Sequence, residues 1–362
     1  MKRVLLVAAG AVLIAGQAFA QEEPVLNVYN WSDYIAEDTI AKFEAETGIH
    51  VNYDVFDSNE LVEAKLLTGN SGYDIVVPSG DFLERQIQAG IFQTLDTSKL
   101  PNLVNMDPEL MATVQTHDPD NAHSAIYMWG TTGFGYNVAA IEERLPDAPV
   151  GSWAMFFDPD VVSKFADCGV SLLDTPSEVI PAALAYLGRD PNSESADDLA
   201  AAEELLNSVR PYIRYFHSSQ YIADLANGDT CLAHGYSGDI FQAQARAEEA
   251  GAGIEIAYTI PEEGAVIWFD LMAIPADAPH PDNAHKWINF IMQPQIAADI
   301  SNYVYYANAN AASYDLIDPE VTGDPGIYPP DEVKAKLFSL ASQSLAYERL
   351  QTRTWTRIMT GQ

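Results

Sequence analysis

An α/β fold in two lobes, with the chain crossing between them more than once, is the architecture this sequence predicts. Three observations carry it. Residues 26–78 run strand, helix, strand, helix, strand, the rhythm of βαβ units. The 362 residues suffice for two domains at roughly 100–200 residues each. No flexible linker, internal repeat or low-complexity tract divides the chain, so the halves are not joined by one simple tether. Hydrophobic residues at 48% and charged residues at 19% mark a globular chain and exclude a disordered or coiled-coil one.

The elements follow in order. Leu26-Asn27-Val28-Tyr29 alternates like a strand and runs into the polar, aromatic loop Asn30-Trp31-Ser32-Asp33-Tyr34. Over 35–47, Ala36, Ile40 and Phe43 recur at helical spacing, and Gly48 sits where a helix C′ residue belongs. Val51, Tyr53 and Val55 alternate again, and 59–67 reads as a helix. Asp74-Ile75-Val76-Val77-Pro78 is a short, continuously apolar strand of the kind buried in a mostly parallel sheet. Further on, an amphipathic helix is expected over 197–209, a strand over 212–216, a short helix over 220–227 and a strand over 230–234. Two more strands, 254–260 and 266–274, flank a hairpin-like turn at 261–264. Helices close the reading at 283–292, 295–304 and, behind Pro329-Pro330, 331–340.

The first twenty residues read as a leader rather than part of the fold. Met1-Lys2-Arg3 is basic, residues 4–15 are apolar but too few to span a bilayer, and Ala18-Phe19-Ala20 offers small residues for signal peptidase. Gln21 follows, so no cysteine is placed for lipid attachment. The expected mature protein is exported and soluble, without membrane insertion. Export would put Cys168 and Cys231 in an oxidising compartment, where a disulfide is permitted and two buried free thiols are the alternative.

Charge narrows the partners. With 18 Lys+Arg against 52 Asp+Glu, the net charge of −34 repels phosphate backbones and anionic membranes and attracts cations. Catalytic and metal motifs fail in turn. His234-Gly235-Tyr236-Ser237-Gly238-Asp239 approaches a nucleophile elbow but has Asp239 where glycine is required. Gly130, Gly133 and Gly135 stand in the wrong order for a dinucleotide turn. His117 and His123 flank a turn composition with no HExxH or CxxC beside them, so no metal site is expected. The pair Tyr305-Tyr306 offers phenolates to ferric iron, or one ring to a core and one to a cleft.

What remains is aromatics beside carboxylates where strands end. Trp31-Ser32-Asp33-Tyr34 follows the first strand and Tyr236-Ser237-Gly238-Asp239 another. Trp268 and Asp270 share one face of a third. In open α/β sheets ligands gather at the carboxyl ends of strands. Such segments, brought together, form a box with aromatic walls and anionic ends, which suits an alkyl ammonium. Rings cover its methylenes and add about 0.5–2 kcal/mol per cation–π contact. A carboxylate bond to each ammonium adds about 1.5–3 kcal/mol.

At these residues the sequence resembles the periplasmic polyamine-binding proteins of ABC importers, closest to the putrescine-binding branch. The resemblance spans essentially the whole mature chain. It is carried by Tyr29-Asn30-Trp31-Ser32-Asp33-Tyr34, by Tyr53-Asp54-Val55-Phe56-Asp57-Ser58-Asn59-Glu60, by Val76-Val77-Pro78-Ser79 and by Tyr127-Met128-Trp129-Gly130-Thr131-Thr132-Gly133. Arg214-Tyr215-Phe216-His217-Ser218-Ser219-Gln220-Tyr221, Tyr306-Ala307-Asn308-Ala309-Asn310 and Pro325-Gly326-Ile327-Tyr328-Pro329-Pro330 extend it. It implies the two-lobed, type II solute-binding fold, with a mixed sheet in each lobe and a hinge crossed several times. The lobes would be 24–127 with 249–329, and 128–248 with 330–362, the ligand lying in the cleft between them.

The resemblance also implies roles. Trp31, Tyr34, Tyr236, Trp268 and Tyr306 would form the aromatic walls. Asp239 and Asp270 would hold one ammonium, with Glu178 and Asp33 toward the other end. Ser32, Ser79 and Ser218 would add polar contacts and Leu340 an apolar one, and Cys168 and Cys231 would be bridged. No cofactor is implied; the partners would be the polyamine and the importer's permease, with the protein a periplasmic monomer. Three departures bear on which polyamine is preferred: Tyr236 and Trp268 stand where the putrescine branch has Trp and Phe, and Asp81 stands at a position usually small or aromatic. Asp81 either meets a third amine or caps a helix starting at Phe82. The expected function is binding without catalysis. The rivals are ferric iron at Tyr305 and Tyr306, an amino acid, and a carboxylate-dependent glycosidase.

Overall fold

The computed structural model describes residues 22–361, so the leader expected at 1–20 lies outside the described residues. The opening rhythm is as expected. Strand β1 (Val25–Trp31) pairs in parallel with β2 (His50–Phe56) and β3 (Ile75–Val76), with helices α1 (Thr39–Thr47) and α2 (Asn59–Leu67) between them. Helix α1 starts four residues later than its periodicity predicts. Asp33 is left-handed at φ 53°, and the chain spends the next residues in a turn before Thr39. Gly48 ends α1 at φ 72°, as a C′ glycine should. Helix α3 (Gly80–Gln88) has Ser79 as its N-cap residue, so Asp81 lies inside the first turn and does not cap a helix beginning at Phe82.

Strand β4 (Ser124–Asn137) is the spine of the sheet, and the sequence reading missed it. Its first twelve residues are all buried, so neither face alternates. Its three glycines, in the wrong order for a dinucleotide turn, all stand where a side chain would collide with a neighbour. A Cβ on Gly133 would lie 2.1 Å from the Thr259 carbonyl oxygen, and one on Gly130 would lie 2.8 Å from the Trp268 ring. Strands β5 (Val170–Leu172), β6 (Tyr215–Phe216) and β7 (Leu232–Tyr236) continue the sheet beyond β4, joined by helices α4 (Pro176–Tyr186), α5 (Ala196–Val209) and α6 (Gln220–Asn227). Helix α7 (Ser237–Glu249) follows directly on β7. The strand expected over 212–216 is reduced to β6 because Pro211 closes a 3-10 turn over Arg210–Tyr212.

Strands β8 (Ile256–Thr259) and β9 (Val266–Ala273) do not form the expected hairpin. Both lie antiparallel to β4 and end to end. Strand β8 pairs with Asn137 through Phe134, and β9 pairs with Thr132 through Ser124. Residues 260–265 form a detour between two stretches of one edge. Helices α8 (Pro281–Ile291) and α9 (Pro294–Val304) lead to β10 (Ala307–Asn308), which pairs with β4. The strand order is β2-β1-β3-β9-β4-β7-β5-β6, a mixed sheet in which β4 belongs to both halves. This is the two-lobed arrangement, with a set of parallel strands on either side.

The helix expected over 331–340 stops at Lys334. The chain then extends along β9, with Phe338 N–H donating to Ala265 O (3.1 Å) and Ile267 N–H to Phe338 O (3.0 Å). Leu340 therefore sits on an extended strap. The C-terminal helix α10 (Leu345–Thr360) was not read from the sequence. Its inner face carries Gln351 and Thr354 beside Tyr347, Trp355 and Ile358, which breaks the apolar stripe. Cys168 and Cys231 are bridged, Cα–Cα 5.5 Å, at the mouths of the paired strands β5 and β7.

Candidate functional site

The parallel strands of both halves end at one cavity. Trp31 is the last residue of β1, Ser32 and Tyr34 follow it, Asp57 follows β2 and Ser79 follows β3. From the other half, Glu178 lies in the first turn of α4 and Ser218 follows β6. Tyr236 ends β7, and Asp239 lies in the first turn of α7. Trp268 and Asp270 come from β9, on one face as alternation requires, and Tyr306 follows the left-handed Tyr305 after α9. Together these residues line an interior cavity of about 30 Å3.

The walls are a chain of rings. Trp31 and Tyr236 lie 6.0 Å apart between centroids, Tyr236 and Trp268 6.0 Å, Trp268 and Tyr306 5.4 Å, and Tyr306 and Tyr34 4.9 Å, each pair edge to face. Both indole N–H groups are engaged outside the cavity: Trp31 Nε1 donates to Val77 O (2.9 Å) and Trp268 Nε1 to Thr132 Oγ1 (3.1 Å). That fixes the rings and leaves their faces for a ligand. Gly238 makes room for one of them, since a Cβ there would stand 2.4 Å from the Tyr306 ring.

Three buried carboxylates face these rings. Asp239 accepts from Tyr221 Oη (2.6 Å) and Tyr306 Oη (2.7 Å). Asp270 accepts from Ser79 Oγ (2.6 Å) and Tyr34 Oη (2.9 Å), and Ser79 in turn accepts from Asn59 Nδ2 (3.0 Å). Glu178 is 6% exposed, and its Oε2 has no hydrogen-bond partner. None of the three forms an ion pair among the described residues. Burial pushes Asp239 and Asp270 up to about 7 against the help of their hydroxyl donors. It pushes Glu178 well above the carboxylate range. The same burial raises the phenols of Tyr34, Tyr221 and Tyr306, so they stay protonated and donate. Carboxylates this deep, met only by neutral donors, ionise at a cost that a cation in the cavity would offset.

Eleven of the fourteen expected ligand residues meet here: Trp31, Ser32, Tyr34, Ser79, Glu178, Ser218, Tyr236, Asp239, Trp268, Asp270 and Tyr306. Asp33 does not. Its left-handed backbone turns the side chain to Arg246 Nη2 at 2.7 Å, and its carbonyl accepts from Gln242 Nε2. Asp81 and Leu340 line an adjoining space instead. Asp57 was missed, although it follows β2 as Ser32 follows β1, and the strand-end rule would have found it. The iron reading gains nothing. Tyr305 lies off the cavity, Tyr306 Oη already bonds Asp239, and no group of three His, Cys, Asp or Glu among the described residues is placed to hold a metal. No arginine or lysine lines the cavity to meet an amino acid's carboxylate.

Comparison with known proteins gives the family. Residues 38–329 match the family model of bacterial extracellular solute-binding proteins. The putrescine-binding periplasmic protein PotF of Escherichia coli is 52% identical over 358 residues, covering 98% of this chain and 97% of that one. The putrescine-binding periplasmic protein SpuD of Pseudomonas aeruginosa is 52% identical over 349 residues, 96% and 95% of the two chains. Among solved structures, the spermidine/putrescine ABC transporter substrate-binding protein PotD from Streptococcus pneumoniae superposes with a TM-score of 0.73 at 28% identity, covering 93% of this chain and 99% of that one.

Proposed function

The chain belongs to the bacterial extracellular solute-binding proteins, and from that premise we propose that it is a periplasmic receptor that captures a linear polyamine and delivers it to an ABC permease. One observation carries the reading: three buried carboxylates, without a cationic partner among the described residues, stand around a cavity walled by five aromatic rings. A protonated diamine supplies what such a site lacks, an ammonium at each end and methylenes between the rings. Asp239 and Asp270 would hold one ammonium, and Glu178 would face the other. The hydroxyls of Tyr34, Ser79, Tyr221 and Tyr306 aim the carboxylates from behind. The chain binds and does not catalyse, as its relatives are binding proteins of transport systems.

The cleft lies between lobes proposed as 24–127 with 249–329 and 128–248 with 330–362. Since β8 pairs with the end of β4 that lies in the second of these lobes, we propose that 249–259 stay with that lobe and that the return crossing falls within 260–265, later than the expected boundary at 249. Ligand then bridges the lobes and favours the closed form by its differential contacts. One chain completes the cavity, which supports action as a monomer.

Calorimetric titration of protein stripped of ligand by unfolding and refolding, with putrescine, cadaverine, spermidine and spermine in turn, tests the reading. A six-atom diamine at the ceiling of about −1.5 kcal/mol per atom reaches about −9 kcal/mol, so micromolar or tighter one-to-one binding by at least one amine is expected. Binding by none of the four overturns it.

A further inference from the structure

One face of helix α7 meets the opposite half of the molecule. Asp239, Gln242 and Arg246 recur at one-turn spacing, so their side chains stand in a row along it. In the proposed lobes α7 belongs to the second, while Asp33, Val304 and Tyr306 belong to the first. Asp239 accepts from Tyr306 Oη (2.7 Å), and its own N–H donates to the same oxygen (3.1 Å). One turn on, Gln242 is 5% exposed and donates from Nε2 to Asp33 O (3.0 Å) and Val304 O (3.3 Å). Its Oε1 accepts from Arg246 Nη2 (3.2 Å). Both ends of this buried amide are engaged, and both of its acceptors are main-chain carbonyls of the other lobe.

The two carbonyls mark the segments that carry two of the cavity's rings. Asp33 is left-handed at φ 53°, and Tyr34 follows it. Val304 ends α9, Tyr305 is left-handed at φ 58°, and Tyr306 follows. Left-handed backbone is costly for any residue but glycine and persists where its neighbours hold it in place. Gln242 is a neighbour that grips both segments, yet it does not line the cavity. Asp270, by contrast, takes its hydroxyls from Ser79 and Tyr34, all within the first lobe, so those bonds need no closure. The bonds of Gln242 need both lobes together.

We infer that Gln242 is a positioning residue for capture: as the lobes close it ties the loop before Tyr34 and the turn before Tyr306 to α7, so that placing these two rings is coupled to closure. The inference rests on the polyamine reading and the proposed lobes, and names a group that holds that site shut. Because the tie forms after ligand has entered, its loss should speed release and leave capture unchanged. Gln242→Met keeps the length and removes the donors, whereas Gln242→Asn keeps the amide and loses the reach. Calorimetry and stopped-flow binding of putrescine, cadaverine, spermidine and spermine, with thermal unfolding of the ligand-free proteins, test it. Each amine that the wild type binds should bind Gln242→Met at least fivefold more weakly and Gln242→Asn at least threefold more weakly. Dissociation should be faster by the same factor, and the ligand-free unfolding midpoint unchanged. Should one variant fail to fold, the other decides. Unchanged affinity, a weakening carried by slower association, or a ligand-free midpoint that falls in both variants overturns the inference and leaves the polyamine reading standing. A wild type that binds none of the four amines overturns both.

Discussion

Asp239 and Asp270 are held by the same device from opposite halves of the molecule: two hydroxyl donors each, no cation, and rings alongside. Tyrosine and serine hydroxyls can orient a carboxylate without neutralising it. An incoming ammonium then meets an oriented carboxyl that it favours in the ionised form, with short, charge-assisted bonds in a poorly solvated place. Removing either charge leaves an ammonium facing an amide. Asp239→Asn and Asp270→Asn should each weaken polyamine binding by about 2–5 kcal/mol, read by calorimetry. A loss below about 0.5 kcal/mol in both variants would contradict the site. At this scale most of the cavity lining of the candidate site was legible, because aromatic and acidic residues next to strand ends are visible in the chain. Asp33 lies off the cavity because its left-handed backbone, unmarked by glycine, turns its carboxylate to Arg246.

At the scale of elements, legibility followed periodicity. Helices α5 and α9 announce themselves by a single apolar face, and both lie within two residues of their expected bounds. Strand β4 has no such face, because it is covered on both sides and needs glycine where Trp268 and the Thr259 carbonyl press on it. The strap carrying Leu340 is set by long-range pairing with β9, which no local pattern encodes. The disulfide ties β5 to β7, the strands that lead to Glu178 and Tyr236, and closes a loop with a sequence separation of 63. Loop-closure entropy for that length is worth about 4 kcal/mol. Cys168→Ser with Cys231→Ser should therefore lower stability by about 2–5 kcal/mol in denaturant unfolding. An unchanged midpoint would contradict a structural role.

For the whole molecule, charge and topology act together. The net charge of −34 raises the local concentration of cations and speeds their capture, an effect that salt should weaken. The shared spine β4, with β8 and β9 returning along its edge, links the halves beside the cleft. The central claim is that ligand charge replaces protons on buried carboxylates. With Asp239 and Asp270 pushed up to about 7, each is about half protonated at pH 7 in the empty protein, and both must ionise to hold an ammonium. Affinity should accordingly rise as pH climbs from 5.5 to 8. The most direct measurement is titration of the ligand-free protein with putrescine at pH 7 in two buffers of different ionisation enthalpy, which counts protons exchanged on binding. Release of about one proton or more per ligand is expected. Tight binding with no proton release, or with proton uptake, would contradict the account.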